Sequence, residues 1–547
     1  MKNHYTLLLA VILFGNAAFA QTVTLDDGTT FQTIEGFGGF GAKKVWWESG
    51  PWHDAGYLSE TVDNLGVTIF RTQIYWDGEL SNDNDDPNVI DPAGFNFGPQ
   101  SDNGKQFPFV RDLHAKGAKL IATVWTPPVW MKLLDIPERV PDECYNCRTC
   151  PVGGAGREMC GGRINPDYYE EFAEYLVAYV KTLKQETDVD LYGISIQNEP
   201  FFANPFESNV VMPDEYGDLL KVVGTRFKSE GLTTKFFGPE HMAEWSWGMQ
   251  AQYVQQTLED PEVKPLLDIY AVHSYVDGVA ADYGSAEGWT ALYNNITVAH
   301  DKPLWMTETS DFNLQGFDLA MSMAKSLYLA LKFGHISAWV YWSMNEAMVV
   351  DNKLTPLGYA FKNYYRFIRP GAVRIASESS DAGILTVAFK HPESGDLSIL
   401  LINQTNETKS VSVSVPFQHE DLTLYRTSTS QNCNNLGIAN PNQISLPANS
   451  ISTLSTISDA GVVDVEKKSE YEIKAYPNPA ANNVLVEVPE GFEPSSLKVI
   501  DPLGKPIVQR KINGSRFEVD TRSWPKGTYI FQITTSGDTV TRRVVIY

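Results

Sequence analysis

The stretch that runs from Asn165 and Pro166 through Asp167–Thr187 to Leu191-Tyr192-Gly193-Ile194-Ser195-Ile196 decides the fold. Asn165 is suited to cap a helix, and Pro166 is suited to the first helical position. Apolar residues recur at helical spacing over Asp167–Thr187, which predicts an amphipathic helix. The short apolar run that follows is typical of a buried strand. A helix that leads directly into a buried strand is one unit of an α/β repeat.

The same rhythm recurs along the chain before and after this unit. A second helical pattern, Phe317–Phe333, is followed by Gly334, which we expect in the C′ position. Eight β-rich runs alternate with such patterns: Ile34–Phe40, Val67–Arg71, Ala118–Val124, Leu191–Ile196, Lys235–Phe237, Leu267–Val272, Pro303–Thr307 and Ser337–Tyr341. They predict a (β/α)8 TIM barrel of the α/β class over residues 35–372, with a doubly wound sheet as the alternative.

The chain outside the barrel divides into four further segments. Residues 1–20 have a charged start, an apolar run and an Ala-Phe-Ala end, which predicts a secretory signal peptide rather than a buried helix. Residues 373–457 contain only strand patterns and, with residues 21–34, predict an antiparallel β-sandwich side domain. Residues 458–473 are polar and indicate a linker, and residues 474–547 predict a small C-terminal β-sandwich.

Composition limits the partners of the protein. The 547 residues carry a formal net charge of −24, with 67 acidic against 43 basic residues. Long-range repulsion opposes binding to polyanions, so we expect no nucleic-acid partner and no membrane-lipid partner. Export through a signal peptide places the protein where disulfides can form.

Two glutamates follow apolar strand patterns. Glu199 lies in Gln197-Asn198-Glu199-Pro200, directly after the fourth run. Glu308 ends Trp305-Met306-Thr307-Glu308, directly after the seventh run and 109 residues after Glu199. Catalytic groups of such barrels lie at the carboxyl ends of strands, and the fourth and seventh strands are nearly opposite each other. Two facing carboxylates are what glycoside hydrolysis requires. The alternative for either glutamate alone is a solvated surface residue.

Other strand ends supply candidate substrate-binding residues. Asn198 suits a hydrogen bond to a sugar hydroxyl, and Arg71 is expected to keep Glu308 ionised. His273 and Tyr275, in the run His273-Ser274-Tyr275, are also candidate substrate-binding residues, and Tyr275 is expected to donate to the same carboxylate. Two further candidates are the aromatic residues Trp125 and Trp342, which either stack on sugar rings or pack in the core.

These motifs together resemble glycoside hydrolase family 30. The matching stretches are residues 35–39 (EGFGG), 126–132 (TPPVWMK), 197–200 (QNEP), 305–308 (WMTE) and 358–371, which ends in RPG. The resemblance covers residues 23–455. It implies that Glu199 is the acid/base and Glu308 the nucleophile of a retaining hydrolase, with carboxyl groups roughly 5–5.5 Å apart. It implies no metal and no organic cofactor.

The C-terminal segment resembles the sorting domain of type IX secretion. The resemblance rests on Tyr476-Pro477-Asn478-Pro479, on Gly527-Thr528-Tyr529 and on a basic end. It implies a passenger tag recognised by the type IX machinery, and hence a secreted or cell-surface protein. A carbohydrate-binding module is the alternative. We expect the protein to be a monomer.

The resemblance to family 30 leaves several substrates open. The family includes xylanases, β-1,6-glucanases, β-1,6-galactanases and glucosylceramidases. A xylan is the leading candidate substrate and endo action the leading mode, with the β-1,6-glycans as alternatives. Glucuronoxylan-specific members carry an arginine after the eighth strand, where this chain has Ser343-Met344-Asn345-Glu346-Ala347, so we expect a neutral glycan. A non-catalytic glycan-binding protein is the alternative from another class.

Four cysteines cluster in a predicted insertion after the third strand. Cys144, Cys147, Cys150 and Cys160 allow disulfides, a zinc site or an iron–sulfur site, of which export favours disulfides. Four cysteines allow three pairings, and the spacing does not choose among them. Cys433, in the side domain, is left over.

Overall fold

A computed structural model describes most of the chain. The described residues are 21–41, 45, 50–133, 160–201, 207–243, 249–275, 285–459, 474–488, 496–501, 506–512, 514–534 and 539–546. The predicted signal peptide, three of the four clustered cysteines (Cys144, Cys147 and Cys150) and most of the predicted linker lie outside these residues.

Eight parallel strands close into a barrel, which confirms the predicted fold class. The strands are β1 (Gly36–Phe40), β2 (Ile69–Ile74), β3 (Lys119–Val124), β4 (Gly193–Ser195), β5 (Lys235–Met242), β6 (Ile269–Ser274), β7 (Leu304–Thr309) and β8 (Ala338–Tyr341). Each strand pairs in parallel with the next, and β8 pairs with β1. The carboxyl ends of all eight strands therefore meet at one mouth.

A helix follows each barrel strand. The helices are α1 (Ala55–Leu58), α2 (Asp102–Ala115), α3 (Tyr169–Thr187), α4 (Pro213–Ser229), α5 (Met249–Val254), α6 (Ala286–Tyr293), α7 (Gly316–Lys332) and α8 (Pro356–Tyr365). The Asn165 side chain accepts from the Asp167 amide at 3.2 Å, as its capping role requires, but Pro166–Tyr168 form a 3-10 turn before α3 begins.

The end of α7 differs in detail from the prediction. Gly334 follows the last residues of the helix, but the left-handed residue there is His335, with φ of 47°. A glycine is needed at position 334 for another reason. A Cβ on Gly334 would lie 2.4 Å from the ring of Trp289, so the close approach of that buried ring excludes a side chain.

A nine-stranded sheet forms the side domain. In spatial order its strands are Gln431–Ile438, Thr423–Ser428, Ser450–Ser455, Leu397–Asn403, Ile384–Lys390, Val373–Ser379, Gln21–Thr33, Lys409–Ser414 and Ile444–Leu446. The predicted antiparallel pairing holds except where Gln21–Thr33 pairs in parallel with Lys409–Ser414. Asn363 of α8 donates to Thr427 Oγ1 at 2.7 Å and accepts from Thr453 Oγ1, so the last barrel helix fixes the sheet in place.

The C-terminal residues form a separate compact unit from Ser458 to Tyr547. Its strands make a three-stranded and a four-stranded sheet around a core that includes Val484, Leu497 and Phe531. Within the described part of the chain, no helix has the length and hydropathy that crossing a bilayer requires.

Candidate active site

The two predicted carboxylates meet at the mouth of the barrel. Glu308 is in β7, and Glu199 lies just beyond β4, where the Asn198 amide donates to the Val124 carbonyl at 2.7 Å. The exposed fractions of Glu199 and Glu308 are only 6% and 5%. One oxygen of each carboxylate lies within 4.8 Å of the other. This spacing fits a retaining pair and is too short for the roughly 6.5–9.5 Å of an inverting pair.

Arg71 organises the floor of the site. Arg71 was predicted at the end of its strand but lies in the middle of β2, which continues to Ile74. Its guanidinium donates to Glu308 Oε2 at 2.6 Å and to Asn198 Oδ1 at 2.7 Å. Its Nε donates to Thr123 Oγ1 at 3.0 Å, and Nη2 lies 3.1 Å from Glu240 Oε1. Although burial opposes its charge, Glu240 and Glu308 raise the pKa of Arg71. A permanent cation therefore contacts Glu308.

Tyr275 provides the second donor to Glu308. Its hydroxyl donates to Glu308 Oε1, as the sequence predicted. Burial, and then the charge of Glu308, raise the pKa of Tyr275 well above its ordinary value, so it remains a donor at neutral pH. The ring of Phe312 stacks on Tyr275 with centroids 5.4 Å apart and is 71% exposed. Phe312 lies in the loop three residues beyond β7, and it was not predicted because candidates for stacking on sugar rings were sought only among tryptophans.

His273 connects the acid/base candidate to a further carboxylate. Its Nδ1 lies 3.0 Å from Glu199 Oε1, and its Nε2 lies 3.2 Å from Glu240 Oε1. Burial by itself would lower the pKa of His273, but Glu308 and the hydrogen bonds to Glu199 and Glu240 raise it to about 9. At neutral pH the imidazole is therefore a cation that donates from both nitrogens.

Glu240 is a third buried carboxylate that sequence reasoning missed. Its burial would raise the pKa, but the charge of Arg71 and the hydrogen bond from His273 lower the pKa of Glu240 to about 2. The predicted strand stopped at Phe237, whereas β5 continues to Met242 with a register shift between Pro239 and His241. Glu240 is thus an ionised carboxylate beneath the site.

The surroundings of the two facing glutamates, Glu199 and Glu308, differ. Burial raises the pKa of Glu199, the His273 hydrogen bond opposes this shift, and the charge of Glu308 adds to it. Glu199 therefore retains a proton to higher pH than an ordinary glutamate. Glu308 accepts from Arg71 and Tyr275, so both of its oxygens are held in place by donors.

The two candidate tryptophans lie on the β1 and β3 side of the mouth. The Trp125 ring lies over the Arg71 guanidinium at 4.6 Å and is almost wholly buried. The Trp342 ring stacks on Phe40 with centroids 4.5 Å apart and is half-buried. Trp342 therefore offers more ring surface to a ligand than Trp125, which mainly covers Arg71.

Two domain families match the chain. Residues 371–454 match the glycosyl hydrolase family 30 beta sandwich domain, and residues 474–547 match the secretion system C-terminal sorting domain. The first corresponds to most of the side sheet, and the second to the separate C-terminal unit. Both matches agree with the resemblances found in the sequence.

Relatives and solved structures extend these matches over the barrel. "Glucuronoxylanase XynC" of Bacillus subtilis (strain 168) is 25% identical over 353 residues, which are 62% of this chain and 74% of the relative. The fold matches that of a GH30 endoxylanase from Clostridium papyrosolvens C71, with a TM-score of 0.60 at 22% identity, covering 79% of this chain and 99% of that one. The endo-beta1,6-glucanase BT3312 has the same TM-score and identity, covering 82% of this chain and 95% of that one.

The barrel, the family 30 side domain and the sorting domain thus occur in one chain. The chain is a secreted or cell-surface glycoside hydrolase whose side domain matches the glycosyl hydrolase family 30 beta sandwich domain.

Proposed function

We propose that this protein hydrolyses a neutral β-linked polysaccharide by a retaining double displacement, with Glu308 as nucleophile and Glu199 as acid/base. The observation that carries the proposal is the pair of buried carboxylates within 4.8 Å of each other, one bonded to Arg71 and Tyr275 and the other to His273. A covalent glycosyl–enzyme requires an ionised nucleophile and a protonated acid on opposite sides of the glycosidic bond.

In the first step Glu308 attacks the anomeric carbon while Glu199 protonates the leaving oxygen. Arg71 orients Glu308 through one carboxylate oxygen, and Tyr275 holds the other. Arg71 also holds the Asn198 carbonyl oxygen, which leaves the Asn198 amide group in position to bind a sugar hydroxyl beside Glu199. The proton on Glu199 is favoured by burial and by the negative charge of Glu308.

In the second step Glu199 activates the water that releases the sugar. Once Glu308 is esterified its charge is gone, and with it one cause of the raised pKa of Glu199. His273, whose cation favours the ionised form of Glu199, remains in place. The pKa of Glu199 therefore falls when a base is needed.

Xylan is the leading substrate. The proposal is supported by the relative named a glucuronoxylanase and by the fold shared with a GH30 endoxylanase. The turn Met344–Met348 follows β8 where glucuronate-specific members place an arginine. Here Met344 is buried, and its side chain packs so closely on Gly39 that a Cβ at position 39 would clash with it. The Met344 side chain is therefore part of an apolar wall and cannot bind a carboxylate. We therefore propose endo cleavage of xylan that does not depend on a glucuronate branch.

The test is a product screen with purified protein. Unsubstituted xylan, arabinoxylan, glucuronoxylan, β-1,6-glucan and β-1,6-galactan are incubated in parallel, and released oligosaccharides are measured. We expect products from all three xylans, with no requirement for glucuronate at the cleavage site. Products only from glucuronoxylan would overturn the neutral-glycan reading, and products only from a β-1,6-glycan would transfer the assignment to that alternative.

A purely glycan-binding role is not favoured by the site. Burying three carboxylates at the floor of a cleft costs desolvation free energy unless cations pair with them. Here Arg71 and His273 form those ion pairs. A binding cleft needs no such arrangement. Retardation on a xylan gel without any hydrolysis of the same xylan would support the binding role instead.

The partners beyond the substrate are also proposals. The sorting domain, residues 474–547, is proposed to be recognised by the type IX secretion machinery, and the mature protein is proposed to act as a monomer. Deleting residues 474–547 should retain the enzyme inside the producing cell. Light scattering of the purified protein should give the mass of one chain.

A further inference from the structure

A second group of buried carboxylates lies away from the active site. Glu79 and Asp83 belong to the loop that follows β2, and Glu171 and Glu174 lie one turn apart in the first half of α3. The exposed fractions of Glu79, Glu171 and Glu174 are 1%, 8% and 1%. We call these four residues the loop–helix cluster. None of them contacts the catalytic pair in the described structure, and no step of the proposed reaction uses them.

Three members of the loop–helix cluster converge. One oxygen each of Asp83, Glu171 and Glu174 lies within 4.8 Å of the others. Calcium binds carboxylate oxygens at about 2.3–2.6 Å, so two ligands on opposite sides of the ion are about 5 Å apart. All three carboxylates can therefore contact one calcium ion at the same time.

Each of these three side chains also has a buried oxygen that no amide or hydroxyl group of the described residues reaches: Asp83 Oδ1, Glu171 Oε2 and Glu174 Oε1. The Glu171 and Glu174 carboxyl groups hydrogen-bond to each other. An unpaired buried carboxylate oxygen is costly, because it has lost its water. For Glu174, whose side chain is almost completely buried, this is an observation separate from the clustering, and it indicates a missing ligand.

The hydrogen-bond donors near the loop–helix cluster either donate to other groups or are uncharged. Asp83 Oδ2 accepts from the Asp91 amide at 2.7 Å and from Asn84 Nδ2 at 2.9 Å. The nearby cation Arg226 donates instead to the Pro87 carbonyl at 2.8 Å and to Glu230 at 2.9 Å. Glutamates with so little compensation hold protons: burial and the neighbouring acids raise the pKa values of Glu79 and Glu174 to about 8.

We propose that Asp83, Glu171 and Glu174, with Glu79 behind them, form a calcium site that fixes the loop after β2 to helix α3. The ligands are hard oxygens without histidine or thiolate, which favours calcium or magnesium over transition metals. Calcium is preferred because it accepts irregular oxygen geometry, whereas magnesium demands a near-ideal octahedron. The loop follows the carboxyl end of β2, and α3 follows that of β3, so the ion stabilises a loop on the mouth side of the barrel.

The test measures calcium binding and thermal stability of the full chain. Protein stripped with a chelator is compared at pH 8 with and without 5 mM calcium chloride, and bound calcium is counted by equilibrium dialysis. We expect one tightly bound calcium per chain and a rise of about 3 °C or more in Tm, with a smaller rise in magnesium. No change of Tm in calcium and no tightly bound ion would overturn the proposal.

Matched variants assign the effect to the loop–helix cluster. Glu174→Gln and Asp83→Asn should each abolish the calcium-dependent rise in Tm, whereas Glu170→Gln, an exposed neighbour on α3, should keep it. If Glu174→Gln does not fold, Asp83→Asn and the ion count of the wild type remain decisive. A rise retained in both cluster variants would place the ion elsewhere and overturn the proposal.

Discussion

The active site and the loop–helix cluster both bury several carboxylates, but they balance the charge in different ways. At the active site, Glu199, Glu240 and Glu308 face two cations of the protein, Arg71 and His273. In the loop–helix cluster, the groups that donate to Asp83 and Glu171 within the described part of the chain are uncharged amides. Internal cations allow one carboxylate to ionise while its neighbour stays protonated. A group without internal cations must take up protons or an external ion.

The largest effect is expected from removing either catalytic carboxylate. Glu308→Ala or Glu199→Gln should reduce turnover by several orders of magnitude while the barrel stays folded, because Arg71 keeps Glu240 as a partner. The rate of reducing-sugar release and the Tm are measured for both variants. Glu170→Gln, on the exposed face of α3, serves as control and should keep full activity. Near-normal turnover in both catalytic variants would contradict the assignment.

Arg71→Met removes one of the two cations that compensate the buried carboxylates of the active site and that the loop–helix cluster lacks. The side chain is completely buried and compensates Glu240 and Glu308, so its loss leaves buried charges unpaired. We expect the free energy of unfolding to fall by about 3–5 kcal/mol and turnover to fall at least a hundredfold. Chemical denaturation measures the first quantity, and initial rates measure the second. A variant as stable and active as the wild type would show that Arg71 has no balancing role.

His273→Gln tests the second internal cation through pH. His273 opposes the shift that keeps Glu199 protonated, so its removal should raise the pKa of Glu199 further. The alkaline limb of kcat/KM, where Glu199 loses its proton, should therefore move to higher pH. His335→Gln, at the end of α7, is the control and should leave the profile unchanged. A shift of the limb to lower pH would contradict the assigned polarity.

The smallest effect on activity is expected from a substitution at the rim of the active site, at Phe312. Phe312 is 71% exposed and stacks on Tyr275, so its ring is available to a sugar beside the nucleophile. Phe312→Ala should raise KM about threefold to tenfold with little change in kcat, as expected for one aromatic contact. Val298→Ala, also exposed but at the amino-terminal side of β7, should change neither constant. A fall in kcat alone would argue against a binding role for Phe312.

The same comparison explains how much of the structure was predictable from the sequence. Glu199 and Glu308 were found because each follows a recognisable strand, and strand ends converge in a barrel. Glu240 was missed because the predicted strand stopped at Phe237, whereas the strand continues to Met242 beyond a register shift. The loop–helix cluster was missed because its glutamates follow ordinary helical spacing. Only the folded loop brings Asp83 to them, about 90 residues away in the chain.

The identity of the nucleophile is tested most directly by trapping the covalent intermediate. The protein is incubated with an activated 2-deoxy-2-fluoro glycoside of whichever glycan it cleaves, digested and sequenced by mass spectrometry. The structure predicts a single glycosyl adduct on Glu308, since Arg71 and Tyr275 both hold that carboxylate for attack. An adduct on another residue, or products of inverted configuration without any adduct, would contradict the retaining mechanism with Glu308 as nucleophile.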